Sequence, residues 1–179
     1  ARRFIERFAK DDTLILVDPV LGDNGALYGC FGPEQVEKMR QLCRMAHVIT
    51  PNRTEAALLA GLPADTPAEE LLAALRARLE VENTIVTGVC RENEIGYLAR
   101  LGEREMSLQY PRVAQTLHGT GDVFAAALCG ALLSCGEAPA ALRQAAEFCN
   151  ACVEKTAQRQ PAHWYGLAFE DVLKERSGL

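Results

Sequence analysis

The apolar positions of this chain change period along its length, and each change marks an element. Phe4, Ile5 and Phe8 share one face of a short helix over residues 2–9, which Asp11 and Asp12 end. Residues 13–17 (Thr-Leu-Ile-Leu-Val) are apolar without alternation, as in a strand covered on both faces. Gly32-Pro33 opens a helix with proline at its first position. Val36, Met39 and Cys43 form its buried stripe, and Glu37, Lys38 and Arg40 its wet face. A short strand over 47–50 follows, with His47 in a structural place ahead of its apolar core. Asn52 and Glu55 have the spacing of a capping box, and Thr66-Pro67-Ala68-Glu69 repeats that signature at the head of a helix reaching about Leu79. Residues 84–86 form a strand leading into Thr87-Gly88, and residues 94–101 and 105–110 flank Gly102-Glu103 as a hairpin. An apolar run over 123–133 predicts a buried helix that begins near Thr120 or Gly121 and stops near Gly136. A long helix over about 139–156, a loop over 161–166 and a closing helix over 169–173 complete the chain.

Strand and helix alternate through the first half, and a hairpin precedes the helix pair. That order predicts an α/β fold with a mostly parallel sheet flanked by helices, one domain over 1–179. The polar segments at 18–25, 50–55, 87–88 and 118–122 all follow predicted strands. In such a sheet they gather at one edge, where ligands of open α/β folds bind.

Composition narrows the function. With 49% hydrophobic and 24% charged residues and a net charge of −5, the chain has no basic block for nucleic acid or a membrane surface. Apolar runs fall short of the roughly 18 residues a membrane span needs. The seven cysteines form no regular framework and sit mostly in apolar patterns. Cys149 and Cys152 make one C-x-x-C inside a helical stretch, with no second pair, which reads as packing rather than zinc or redox chemistry. Reduced thiols fit the cytosol. The chain opens without a methionine on a helix that feeds directly into a strand, which gives the expectation of a fragment.

The chemistry concentrates at His118-Gly119-Thr120-Gly121-Asp122. Glycines there allow a tight turn, and the free amides and dipole of the following helix make an anion site. A carboxylate beside such a site repels phosphate, so Asp122 is better placed as a base aimed at an attacking group. A plain helix cap by Thr120 or Asp122 is the alternative. The segment Asp18-Pro19-Val20-Leu21-Gly22-Asp23-Asn24-Gly25 carries two aspartates past a strand end, with a simple turn as its alternative.

Three strings together carry a resemblance. They are residues 18–28 (D-P-V-L-G-D-N-G-A-L-Y), Ile49-Thr50-Pro51-Asn52 with Glu55, and Gly119-Thr120-Gly121-Asp122 with Phe124. In order and spacing the chain resembles the ribokinase-like superfamily, in its pyridoxal/pyridoxamine (vitamin B6) kinase branch. The first string favours that branch over the related hydroxymethylpyrimidine kinases. The resemblance covers the C-terminal two-thirds of such a kinase, and the N-terminal third has no counterpart. It implies ATP-dependent phosphorylation of a 5′-hydroxymethyl group, giving the 5′-phosphate in vitamin B6 salvage. Asp122 is then the catalytic base at the substrate hydroxyl, and Gly119, Thr120 and Gly121 are the anion hole. Asp18, Thr50, Asn52, Glu55 and Thr87 contact the nucleotide, and Asp18, Asp23 and Glu55 lie toward Mg²⁺. ATP as co-substrate, Mg²⁺, a monovalent cation, a homodimeric state and a cytoplasmic location follow from the same resemblance. Hydroxymethylpyrimidine (phosphate) kinase activity and a catalytically silent nucleotide-binding fragment are the alternatives.

Overall fold

A computed structural model of the chain describes residues 1–159 and 166–177. These divide into two compact units, one of residues 1–89 with 98–107, the other of 90–97 with 108 onward. Helices α1 (Arg2–Phe8), α2 (Pro33–Cys43), α3 (Arg53–Ala60) and α4 (Ala68–Leu79) belong to the first unit. So do strands β1 (Leu16–Val17), β2 (Gly22–Asp23), β3 (Ala26–Leu27) and β4 (Val48–Ile49). Strands β5 (Asn83–Arg91), β6 (Glu94–Leu101) and β7 (Arg104–Pro111) run through both units. Helices α5 (Thr120–Cys135), α6 (Ala138–Ala157) and α7 (Phe169–Ser177) belong to the second.

The sheet is mixed, in the order β1-β4-β5-β6-β7. Its β1/β4 and β4/β5 pairs are parallel, with Leu16 opposite Val48 and Ile49 opposite Thr84. Two-residue turns then reverse the chain twice to make a β5-β6-β7 meander, as the Gly102-Glu103 spacing predicts. The core of the first unit lies where Leu71, Leu75 and Leu79 of α4 and Ala56 and Leu59 of α3 meet Ile49 and Val86 of the sheet. In the second unit α5 and α6 bury Phe124, Leu128, Leu142 and Cys149. No helix among the described residues is long and apolar enough to cross a membrane.

Several boundaries differ from the sequence reading for local reasons. The first strand is two residues rather than five, because Thr13 closes a turn with Lys10. The Ile15 amide then donates to His47 Nδ1 at 3.0 Å instead of to a ladder carbonyl, which confirms a structural His47. Strand β5 continues past Val86 to Arg91, so Thr87 and Gly88 lie within it rather than in a loop. Parallel pairing carries on there, with the Thr87 amide donating to Pro51 O at 2.9 Å. Thr66 is buried and makes no cap. Pro67 holds the cap position of α4 without a side-chain bond, and the Thr66 carbonyl accepts from Arg53 Nη2. Arg40 is not simply on a wet face. Its Nε and Nη2 donate to Leu59 O and Leu58 O, each at 2.8 Å, and satisfy the last carbonyls of α3. The loop expected over 161–166 lies, up to Gly166, outside the described residues.

Candidate functional site

The segment after β1 is a miniature hairpin. Gly22 pairs with Leu27 and Asp23 with Ala26, and Asn24-Gly25 forms the two-residue loop. Both loop residues have positive φ, 51° and 81°, as a type I′ turn requires of Asn-Gly. Two-residue strands do not hold a hairpin by themselves. The neighbouring segment 50–55 holds this one, and it does so at four points.

Thr50 Oγ1 donates to Asp18 Oδ1 at 2.8 Å. Asn52 Nδ2 donates to Gly22 O at 2.9 Å. The Leu21 amide donates to Glu55 Oε1 at 3.1 Å, and the Gly25 amide donates to Thr54 Oγ1 at 2.9 Å. The predicted capping box is present within this network. Asn52 Oδ1 accepts from the Glu55 amide and Glu55 Oε2 accepts from the Asn52 amide, both at 2.9 Å. Asn52 and Glu55 therefore both cap α3 and anchor the hairpin. Thr54 carried no sequence signal, because its partner is 29 residues away; the Asn24-Gly25 dipeptide was the clue to the hairpin.

Glu55 is 5% exposed. Burial pushes its carboxyl up to about 7, against the lowering effect of the amides of Asn52, Leu21 and Gly22, and the Asp18 charge adds to the rise. The folded state then holds a proton that the unfolded chain releases near pH 4.5. Stability from this group is fully present below about 4.5 and is lost as pH rises through about 7. The ligand-free protein is expected to lose ~3 kcal/mol of stability across that window, since a tenfold difference in proton affinity between folded and unfolded chain is worth about 1.4 kcal/mol. Urea unfolding at pH 5 and pH 8 measures it. A Glu55→Gln protein with the same pH dependence as the parent overturns the assignment.

Of the acidic candidates, Asp18 is half-buried under Thr50 and Asp23 is exposed at the hairpin. Asp23 accepts from the Asn24 amide at 2.8 Å and from Asn24 Nδ2 at 3.2 Å. Among the described residues no three metal-ligating side chains cluster. A nucleotide-bound Mg²⁺ keeps waters and phosphate oxygens and takes only one or two carboxylates, so hard oxygens from Asp18 and Asp23 fit it in kind. Both oxygens of Glu55 already accept backbone amides.

Thr50, Asn52, Glu55, Asp18 and Thr87 are thus brought together in the first unit, and Asp23 stands on the hairpin they hold. The 118–122 segment belongs to the second unit. There Gly119 holds the cap position of α5 in the left-handed region, φ 83°, with no side-chain cap bond. Neither Thr120 nor Asp122 caps the helix, which removes the simple capping alternative. The Val123 amide is the first to reach back, to Gly119 O at 3.0 Å. The amides of Thr120, Gly121 and Asp122 precede it and have no intrahelical acceptor, as an anion site needs. Asp122 is exposed on this first turn. The turn is held from behind by Cys149, whose Sγ lies 3.5 Å from Thr120 O, and by a Tyr97–Phe124 stack at 4.4 Å. Burial raises the Cys149 thiol, and that of Cys152 to about 11, so both pack as neutral thiols.

A family model described as phosphomethylpyrimidine kinase matches residues 3–166. A pyridoxal kinase of Leifsonia xyli is 35% identical over 134 residues, 71% of this chain and 47% of that protein. A Bacteroides thetaiotaomicron protein provisionally named a phosphomethylpyrimidine kinase superposes with a TM-score of 0.90 at 34% identity, over 98% of this chain and 63% of its own. In a crystal form with pyridoxal it gives 0.86, again at 34% identity, over 98% and 64%. The pyridoxal kinase of Lactobacillus plantarum gives 0.77 at 36% identity, over 93% and 63%. The chain spans about half the length of the curated relatives it matches.

Proposed function

The chain belongs to the phosphomethylpyrimidine kinase family, and from that premise we propose that the whole protein transfers the γ-phosphoryl group of ATP to the 5′-hydroxymethyl group of pyridoxal, pyridoxine or pyridoxamine. The observation that carries this reading is the start of α5, a left-handed glycine cap with no side-chain cap bond among the described residues, amides that lack an intrahelical acceptor and an exposed aspartate on the first turn. The pyridoxal kinase names of its relatives and the pyridoxal in the Bacteroides crystal support the substrate class.

In this reading 1–179 is one ribokinase-like domain. Asp122 takes the hydroxyl proton, and the amides at Gly119, Thr120 and Gly121 receive the charge on the transferring group. Asp18 and Asp23 lie toward Mg²⁺, whose charge neutralises the nucleotide phosphates when it is bound. Asp18, Thr50 and Thr87 face the nucleotide, and Asn52 and Glu55 serve it by holding the hairpin. A monovalent cation, a homodimer and a cytoplasmic location accompany the same proposal.

The family description also fits a second reading, a hydroxymethylpyrimidine kinase. Steady-state assays with ATP and Mg²⁺ on the three B6 vitamers and on hydroxymethylpyrimidine decide between them. The expected result is a kcat/KM at least about tenfold higher for a B6 vitamer, a preference of about 1.4 kcal/mol. A preference for the pyrimidine selects the second reading, and no transfer to any of the four overturns both.

A further inference from the structure

Three of the four side chains that hold the 18–25 segment are already candidates for the site; the fourth, Thr54, is not. Leu21, Gly22 and Tyr28 fix the base of the hairpin, through Glu55 Oε1, Asn52 Nδ2 and the Tyr28 amide to Leu21 O at 3.0 Å. The tip is tied to α3 through the Gly25 amide, which donates to Thr54 Oγ1 at 2.9 Å. Thr54 is buried and Gly25 exposed, so the bond fastens the exposed tip to a fixed point on α3. The tip also sets the acidic group. The Asn24 amide and side chain both donate to the Asp23 carboxylate, so its direction follows the Asn24-Gly25 turn.

We propose that Thr54 is a positioning residue for the phosphoryl donor, seating the hairpin tip and through it aiming the Asp23 carboxylate at the metal–nucleotide complex. The proposal rests on the kinase reading for its ligand and on the hairpin geometry for its mechanism. Without the Thr54 oxygen, the Gly25 amide loses its acceptor. The two-pair hairpin is then held at its base alone, and Asp23 samples directions that do not serve the ligand. The hydroxyl chemistry is what matters here, so serine replaces threonine and valine, of the same shape, does not.

The test uses the whole protein with Thr54→Val, Thr54→Ser, Asp23→Asn and the Thr54→Val/Asp23→Asn pair. With pyridoxal as acceptor, Thr54→Val is expected to raise the KM for Mg·ATP about fivefold to tenfold, the size of one lost hydrogen bond, with kcat changed less than about twofold. Thr54→Ser restores the parental KM. In the Asp23→Asn background Thr54→Val adds nothing, because the group it aims is gone. Parental KM in Thr54→Val, or full additivity with Asp23→Asn, overturns the proposal. Amide hydrogen exchange over residues 21–28 provides a readout independent of activity, with faster exchange expected in Thr54→Val and recovery in Thr54→Ser. If the protein transfers no phosphate, the kinase reading falls, and unchanged exchange then overturns the positioning role as well. Thr54→Ala gives the same comparison should the valine variant melt early.

Discussion

Asp122→Asn is expected to lower kcat for pyridoxal phosphorylation by about 10²–10⁴-fold, the range for a positioned general base. The same substitution leaves the fold close to the parent. Asp122 is exposed, is not the cap of α5 and has no role in the buried face that Phe124 and Leu128 fill. What stability it contributes comes from a carboxylate near the positive end of a helix, about 0.3–1 kcal/mol at an exposed position. Asparagine keeps the shape and removes the charge and the basicity. The KM for ATP is expected to hold, since the anion hole proposed at 119–121 is made of backbone amides that the substitution does not touch. Measured together, kcat and melting temperature separate the roles. A variant with near-parental kcat ends the catalytic assignment, and a variant that melts many degrees lower shows that its effect is structural.

The sequence made some of this visible and hid the rest for physical reasons. Helix limits set by backbone chemistry were legible, such as Pro33 at the start of α2, the Asn52–Glu55 box on α3 and Gly136 at the end of α5. These depend on residues a few positions apart. The 22–27 hairpin was not legible as strands, because two-residue strands show no alternation, although Asn24-Gly25 is the commonest kind of hairpin loop. The strand through Thr87-Gly88 was cut short for a related reason. A glycine with φ 70° inside a strand looks like its end until the Pro51 carbonyl is seen to continue the pairing.

The candidate site divides along the same line. Asp18, Asn52, Glu55 and Asp122 stood out as candidates because each belongs to a short string, and the roles expected of them came from the resemblance that those strings carry. Their division of labour was not legible. Asn52 and Glu55 look like ligand-facing groups in sequence, yet their polar atoms are engaged with α3's own amides and with a hairpin 30 to 34 residues away. Such bonds have no local signature, and neither does the Thr54–Gly25 bond. Thr66 shows the opposite error. Its local signature was clear, but Pro67 holds the cap position and Thr66 is buried, with its backbone carbonyl accepting from Arg53.

Gly22→Ala is expected to disrupt the hairpin that all these bonds serve. A Cβ on Gly22 would stand 3.0 Å from Ala26 C and from Leu27 Cα, and closer still to Ala26 O. All three are backbone atoms of the returning strand, so no side-chain rotation relieves the contact. The Gly22–Leu27 pair must open, which pulls Gly22 O from Asn52 Nδ2 and draws Leu21 away from Glu55. Overpacking at a buried position costs about 1–3 kcal/mol, and each buried polar group left unpaired adds about as much again. The hairpin therefore gives way before the rest of the unit does, and Asp23 moves with it. The KM for Mg·ATP is expected to rise by more than about tenfold, equivalent to over 1.4 kcal/mol of lost binding. Gly29→Ala is the control seven residues on, where an added Cβ meets nothing within 4 Å. Its stability is expected to stay within about 0.5 kcal/mol of the parent, with KM unchanged. Urea midpoints and KM values of the two alanine variants, measured side by side, test the hairpin directly. If Gly22→Ala matches Gly29→Ala in both, the close-packed hairpin is not what presents Asp23.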